Sequence, residues 1–81
     1  MRVRVLFFAT AREAAATDAA ELDLPEGATV GDAGNVLGER YPDLNIRLPH
    51  YRFAVNREFA GLDQTLQDGA ELAVIPPVSG G

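Results

Sequence analysis

The chain opens with Arg2-Val3-Arg4-Val5-Leu6-Phe7-Phe8, a stretch in which charged and apolar side chains alternate. In a β-strand, successive side chains point to opposite faces, so the odd-numbered residues here share one face and the two arginines share the other. The pattern predicts a strand with a core face and a solvent face. The alternation then breaks, because Leu6 and Phe8 continue the arginine face with large apolar groups.

Two further segments alternate in the same way. Residues 20–24 are apolar at every second position, and residues 70–75 place Leu72 and Val74 on one face and Glu71 on the other. Both segments are predicted to be strands. Ile75 continues the Glu71 face, and this is a second apolar break in the pattern of a solvent face.

A small hairpin is predicted between these segments. Residues 51–55 form the first arm, Asn56-Arg57 forms a tight turn, and residues 58–60 begin the second arm. Phe59 lies just past the turn. Further along, Asp68-Gly69 is the strongest turn signal in the chain.

The main helix is predicted from Val30 to Tyr41, with Pro42 stopping it. Thr29, followed three residues later by Asp32, is a capping signal, and apolar residues recur at helical spacing. Two glycines inside this segment, Gly34 and Gly38, are expected to let the helix approach the sheet closely.

Two other segments are less regular. Residues 9–16 are rich in helix formers and predict a short helix, with Thr10 and Glu13 spaced as in a capping box. Residues 43–50 predict a loop with a possible turn of helix.

The last six residues, Pro76-Pro77-Val78-Ser79-Gly80-Gly81, differ from the rest of the chain. The two prolines supply no backbone donor and stop the preceding strand from extending. Six extended residues reach roughly 20 Å, and glycines without side chains could thread a narrow channel. We therefore predict a domain over residues 1–75 and an extended tail over residues 76–81.

The composition of the 81 residues fits one globular domain and restricts its chemistry. Twelve acidic residues and seven arginines give a net charge of −5, which argues against nucleic-acid binding and favours a basic partner surface. The chain has no cysteine, which excludes a disulfide, a thiolate metal site and a side-chain persulfide. If the protein carries sulfur, only Gly81 can hold it.

No run of eighteen apolar residues and no secretory leader is visible, so we expect a cytoplasmic protein that does not enter a membrane. His50 is the only histidine and is assigned to a loop, and Arg12-Glu13 is read as a solvated charge pair. No metal-ligand cluster or catalytic constellation is visible, and no bound cofactor is expected.

Several motifs together resemble one family. The opening Phe7-Phe8-Ala9-x-Ala11-Arg12-Glu13, the hairpin Ala54-Val55-Asn56, the Asp68-Gly69 turn and the Pro-Pro-Val-Ser-Gly-Gly tail resemble MoaD, the sulfur-carrier small subunit of molybdopterin synthase. The resemblance implies a ubiquitin-like β-grasp fold. In that fold a mixed sheet of about five strands packs on one main helix, the first and last strands pair in parallel, and a flexible Gly-Gly tail follows. The patterns alone support only an α+β domain.

The resemblance also implies a function for Gly81. An E1-like adenylyltransferase, similar to MoeB, would adenylate it with ATP and Mg²⁺, and a cysteine desulfurase or rhodanese-like protein would supply sulfur. The resulting thiocarboxylate would donate sulfur to cyclic pyranopterin monophosphate in a MoaE-like large subunit, within a heterotetramer. The chain would be a non-catalytic subunit whose tail residues Pro77, Val78, Ser79 and Gly80 thread the partner's channel.

The apolar breaks in the strand patterns predict where the partner docks. Leu6, Phe8, Phe59 and Ile75 are candidates, because parallel pairing of the first and last strands would place Phe8 and Ile75 together beside the departing tail. Alternatively, Phe8 and Phe59 are core residues.

Three other functions stay open. The chain could be a ubiquitin-like modifier joined through Gly81 to lysines of other proteins, a sulfur carrier of the thiamine pathway, or a binding module with an inert tail.

Overall fold

A computed structural model describes residues 1–77. The predicted tail residues Val78, Ser79, Gly80 and Gly81 lie outside the described residues. The elements are β1 (Arg2–Phe7), α1 (Thr10–Ala15), β2 (Ala19–Asp23), α2 (Val30–Arg40), α3 (Pro42–Asn45), a 3₁₀ turn (Leu48–His50), β3 (Arg52–Val55), β4 (Glu58–Ala60) and β5 (Glu71–Ile75). None of the helices in residues 1–77 is long and apolar enough to cross a membrane.

The five strands form one mixed sheet in the order β2-β1-β5-β3-β4. The first and last strands pair in parallel, with Val5 opposite Leu72, and this confirms the predicted pairing. The β1–β2, β3–β5 and β3–β4 pairs are antiparallel. Because β5 lies at the centre of the sheet, the chain that follows it leaves from the middle of one end.

One face of the sheet carries the core. The alternating residues of β1 and β5 are buried there as predicted, together with the apolar face of α2: Val3, Val5, Phe7, Leu72, Val74, Val30, Ala33 and Leu37. The ring of Phe7 meets Tyr41 edge to face, with ring centroids 5.5 Å apart. This packing fixes which face of β1 is left for solvent or a partner.

The start of α2 follows the predicted capping pattern. The Thr29 hydroxyl accepts from the Asp32 backbone N–H at 3.2 Å, and the Asp32 carboxylate accepts from the Thr29 N–H at 2.9 Å. The two glycines have different neighbours. A Cβ at Gly34 would touch the Phe53 ring of the sheet at 3.5 Å, whereas one at Gly38 would collide with the Asn45 side chain of α3. The missing side chain at Gly38 therefore lets α3, and not the sheet, pack closely against α2.

The capping prediction for α1 is wrong. The residue before the helix is Ala9, and no side chain caps it. The Thr10 hydroxyl instead lies 2.7 Å from the Tyr51 hydroxyl, in a hydrogen bond that ties α1 to the start of β3. The Thr10 side chain, which the local spacing predicted as a helix cap, therefore bonds a residue distant in sequence.

Residues 42–50 are more regular than the sequence predicted. Pro42 ends α2 and also begins α3, since its fixed φ and missing N–H suit the first position of a helix. Leu44 is completely buried in the core, and the 3₁₀ turn follows. Tertiary burial of one leucine stabilises a helix too short to form alone.

The β3–β4 hairpin has the predicted two-residue turn. Asn56 and Arg57 have φ of 49° and 72°, the positive values that a type I′ turn requires at both central positions.

The buried position of Leu44 yields a stability prediction. Leu44→Ala should lower the free energy of unfolding by about 2–5 kcal/mol, because it removes core contacts and leaves a cavity. Ile46→Ala is the matched control: Ile46 is two residues away and 78% exposed, so it should change the stability by about 0.5 kcal/mol or less. Urea denaturation measures both, and equal effects would show that α3 does not pack as described.

Candidate docking surface and tail exit

The outer face of the sheet, opposite the core, has an apolar row running across four strands. Leu6 pairs with Ala73, Ala73 with Ala54, and Ala54 with Phe59, so these four residues lie side by side on the same face. The two central alanines, Ala73 and Ala54, are only 8% and 5% exposed, because the larger side chains on both sides shield them from solvent. The row is therefore a groove with an alanine floor.

This outer groove has a volume of about 370 Å³. Its lining residues are Leu6, Phe8, Ala54, Arg57, Phe59, Glu71, Ala73 and Ile75. All four residues predicted for docking, Leu6, Phe8, Phe59 and Ile75, thus border one depression, although their role in docking stays a prediction.

Phe8 and Phe59 are surface residues in the isolated chain. Phe8 is 48% exposed and Phe59 is 60% exposed, so the alternative that they are core residues is wrong for the chain alone. Leu6 and Ile75 are half-buried. Large apolar groups gathered around one depression are typical of protein-binding surfaces, whereas single exposed ones are common everywhere.

Two arginines that the sequence patterns did not predict as site residues also belong to this surface: Arg57 lines the groove, and Arg52 contacts Phe59. The Arg52 guanidinium carbon lies 3.9 Å from the centre of the Phe59 ring, and Arg52 is the register partner of Ile75. A guanidinium over a ring face is an attractive cation–π contact that holds the ring in one orientation. The alternation of β3, which puts Arg52 and Ala54 on one face, was the signal that could have predicted Arg52, whereas Arg57 is in the turn and no strand pattern places it.

The tail leaves beside this groove. The last residue of β5 is Ile75, followed by half-buried Pro76 and exposed Pro77. Neither proline has an N–H to continue the ladder. The Phe8 N–H donates to the Val74 carbonyl at 3.4 Å, so Phe8 lies next to the point where the strand ends.

The polar and charged side chains of the described residues all lie at the surface or are only partly buried. Among residues 1–77 no polar or charged side chain is buried, and no group of His, Cys, Asp and Glu is arranged to hold a metal ion. Catalytic acids and bases usually have environments that shift their pKa, and such environments need burial or close charges. The surface described here can present the tail to another protein.

A small mixed sheet packed on one main helix, with a tail leaving the central strand, defines a ubiquitin-like β-grasp protein, and the predicted fold is confirmed by solved structures. The crystal structure of SAMP1 from Haloferax volcanii has a TM-score of 0.92 and 34% identity, and the match covers 100% of both chains. The chain belongs to the ThiS family, whose profile matches residues 5–81.

Similar sequences include two molybdopterin synthase sulfur carrier subunits. That of Mycobacterium tuberculosis is 38% identical, over 100% of this chain and 99% of the relative. That of Escherichia coli is 36% identical, over 98% and 99%. Small archaeal modifier protein 1 of Haloferax volcanii is 37% identical, over 91% and 94%.

Proposed function

We propose that the chain is the sulfur carrier subunit of a molybdopterin synthase and that Gly81 carries the sulfur as a thiocarboxylate. The observation that carries this proposal is the family match that continues through the Gly-Gly segment to residue 81. The full-length similarity to the sulfur carrier subunit of M. tuberculosis supports it.

The chemistry begins with activation, because a carboxylate resists nucleophilic attack. An oxygen of the Gly81 carboxylate attacks the α-phosphorus of ATP on an E1-like enzyme, pyrophosphate leaves, and an acyl adenylate forms. Mg²⁺ on that enzyme offsets the phosphate charge. The outer sulfur of a donor protein's cysteine persulfide then attacks the acyl carbon and displaces AMP, which gives an acyl disulfide. A thiol attacks the donor's sulfur and cleaves the S–S bond, so the thiocarboxylate stays on Gly81 and the donor cysteine and the thiol leave as a disulfide.

Transfer takes place in the partner. The thiocarboxylate sulfur adds to an electrophilic, doubly bonded carbon of cyclic pyranopterin monophosphate held by the large subunit. A C–S bond forms, and the electron pair of the π bond moves to the neighbouring atom, which takes up a proton. Water then cleaves the acyl–sulfur bond, which leaves the sulfur on the product and returns Gly81 as a carboxylate. The carrier contributes position, since holding the sulfur at the reacting carbon replaces a bimolecular encounter.

The outer groove suits the docking step of this proposal. Two of its lining residues, Phe8 and Ile75, lie beside the start of the tail, so a partner seated in the groove would hold the origin of the tail in place. Each such side chain contributes roughly 1.5–3 kcal/mol on burial, before the cost of association. We propose that the large subunit and the E1-like enzyme both use this surface, in the cytoplasm, and that two carriers join a dimer of large subunits.

Gly80 is proposed to act by lacking a side chain. Gly80→Phe should reduce adenylation to background, because a ring at this position would not pass a channel shaped for glycine. ATP–pyrophosphate exchange with the E1-like enzyme measures the effect, and Ser79→Ala is the control, since it shortens a side chain one residue earlier. Normal exchange by Gly80→Phe would contradict the threading role.

The mass of the chain from its native cell tests the proposal directly. Replacement of one carboxylate oxygen by sulfur adds about 16 Da, and fragmentation should place that mass on Gly81. A chain that never acquires this mass in cells that make molybdopterin would contradict the proposal.

A second candidate function is protein modification. The similarity to SAMP1, a protein named as a modifier, favours it. Here a lysine amine of a target attacks the Gly81 adenylate or a thioester derived from it, and an isopeptide bond forms. This chain has no lysine, so it cannot form chains through its own side chains. Mass spectrometry of cell proteins for Gly81 on lysine tests this function independently of sulfur transfer.

A further inference from the structure

A second cleft lies on the other side of the tail, on the helical layer. Its lining residues are Ala9, Thr10, Ile46, Arg47, His50, Tyr51, Pro76 and Pro77, around a volume of about 480 Å³. We name it the tail-side cleft. The Thr10–Tyr51 hydrogen bond joins two of its lining elements, so the cleft has a defined shape. Since Pro76 and Pro77 line this cleft and Ile75 lines the outer groove, the tail leaves between two concave surfaces.

The charges around the tail differ from what the net charge of the chain indicates. Of the twelve acidic residues in the sequence, Glu71 alone lines the outer groove and none lines the tail-side cleft. Arg47 lines the tail-side cleft beside Pro76 and Pro77. Arg57 follows Asn56 in the turn that bonds Glu71, at the opposite end of β5 from the tail. The lining of the tail-side cleft therefore has one arginine and no carboxylate, although the protein as a whole is acidic.

Arg47 has an uncommitted charge in the described part of the chain. Arg47 also lines the neighbouring depression together with Glu13 and Asp43, but among the described residues neither carboxylate lies within ion-pair distance of its guanidinium. Ile46 next to it is 78% exposed, although it is a large apolar residue. An apolar group beside an unpaired guanidinium is typical of an interface that meets an apolar residue ringed by carboxylates.

The length of the tail limits how far from the domain a partner that binds Gly81 can be. Gly81 is four residues beyond Pro77, so it can reach at most about 13 Å from it. A protein that holds Gly81 in its active site must then approach the base of the tail, where both concave surfaces are within its reach.

We propose that the tail-side cleft is a second docking surface, occupied by an acidic and partly apolar surface of the large subunit that receives the tail. This inference rests on the proposed function. Ile46 enters the apolar part of the partner surface, and Arg47 pairs with a carboxylate there. The partner would then contact the base of the tail from two sides, through the outer groove and through the tail-side cleft.

The test uses the full-length chain and the molybdopterin synthase large subunit of the same organism, with affinity measured by calorimetry at two salt concentrations. Ile46→Asp and Arg47→Glu should each weaken binding by at least about tenfold, and the Arg47→Glu loss should shrink at high salt. Two matched controls should bind within about twofold of the parent chain. Leu62→Asp adds the same charge at an exposed apolar residue, and Arg40→Glu makes the same charge reversal on α2. Neither Leu62 nor Arg40 lines the outer groove or the tail-side cleft.

The outcomes separate the two proposals. If the parent chain does not bind the large subunit, the proposed function fails and this inference fails with it. If the parent binds and all four variants bind equally well, the function stands and the second surface does not exist. A loss shared equally by the controls would also overturn it, as would Ile46→Asp dissolving a homodimer in sedimentation while leaving the affinity for the large subunit unchanged.

Discussion

Deletion of Gly81 is expected to abolish molybdopterin formation while leaving the thermal midpoint almost unchanged. The chain has no cysteine, so no side chain can replace the terminal carboxylate as the site of sulfur. The core and the sheet lie within residues 2–75, and a terminal residue beyond them adds few contacts to the fold. Molybdopterin formation should therefore be lost completely, whereas the thermal midpoint should change little.

Binding to the large subunit separates a chemical role of Gly81 from a structural one. The deleted chain should retain most of its affinity, since the outer groove is intact. A second variant, with one glycine added after Gly81, keeps every native residue and displaces the carboxylate by about 3.5 Å, and it should also be inactive. Product formed by the deleted chain would contradict the assignment of Gly81.

Alanine substitution of two adjacent phenylalanines is expected to produce opposite results. Phe8→Ala should weaken binding to the large subunit by about 2 kcal/mol, or roughly thirtyfold in Kd, because a half-exposed ring beside the tail would be buried only in the complex. Its stability should change by about 1 kcal/mol or less, since much of the ring is already in water.

Phe7→Ala is the internal control for the same experiment. Phe7 is 3% exposed and packs against Tyr41, so its truncation should cost about 3–5 kcal/mol of stability. Affinity must then be compared at a temperature where this variant remains folded, and there it should be close to that of the parent chain. A Phe8→Ala variant that is destabilised yet binds with full affinity would assign Phe8 to the fold and remove it from the docking surface.

Much of the fold was predictable because short-range physics determines it. Period-two alternation fixed which side of β1 and β5 faces the core, and the Thr29–Asp32 spacing predicted the capping box that begins α2. The bounds of the strands moved by one residue, as at β1, which ends at Phe7. The apolar breaks at Phe8 and Ile75 also pointed to the correct end of the sheet, although only the family resemblance supplied the parallel pairing.

The sequence by itself determined that one α+β domain forms, that its core face and solvent face alternate along the strands, and that no cysteine is present to carry a transferable sulfur atom. These properties depend on residue type and on neighbours a few positions apart. The tertiary structure alone decided that Leu44 is a core residue, that Thr10 bonds Tyr51 and not its own helix, and that two alanines form the floor of a groove. Each of these depends on contacts between segments distant in sequence, which no local pattern encodes. It also decided the charge beside the tail: a net charge of −5 is a sum over the chain, whereas the cleft next to Pro76 and Pro77 is lined by Arg47 and by no acidic residue.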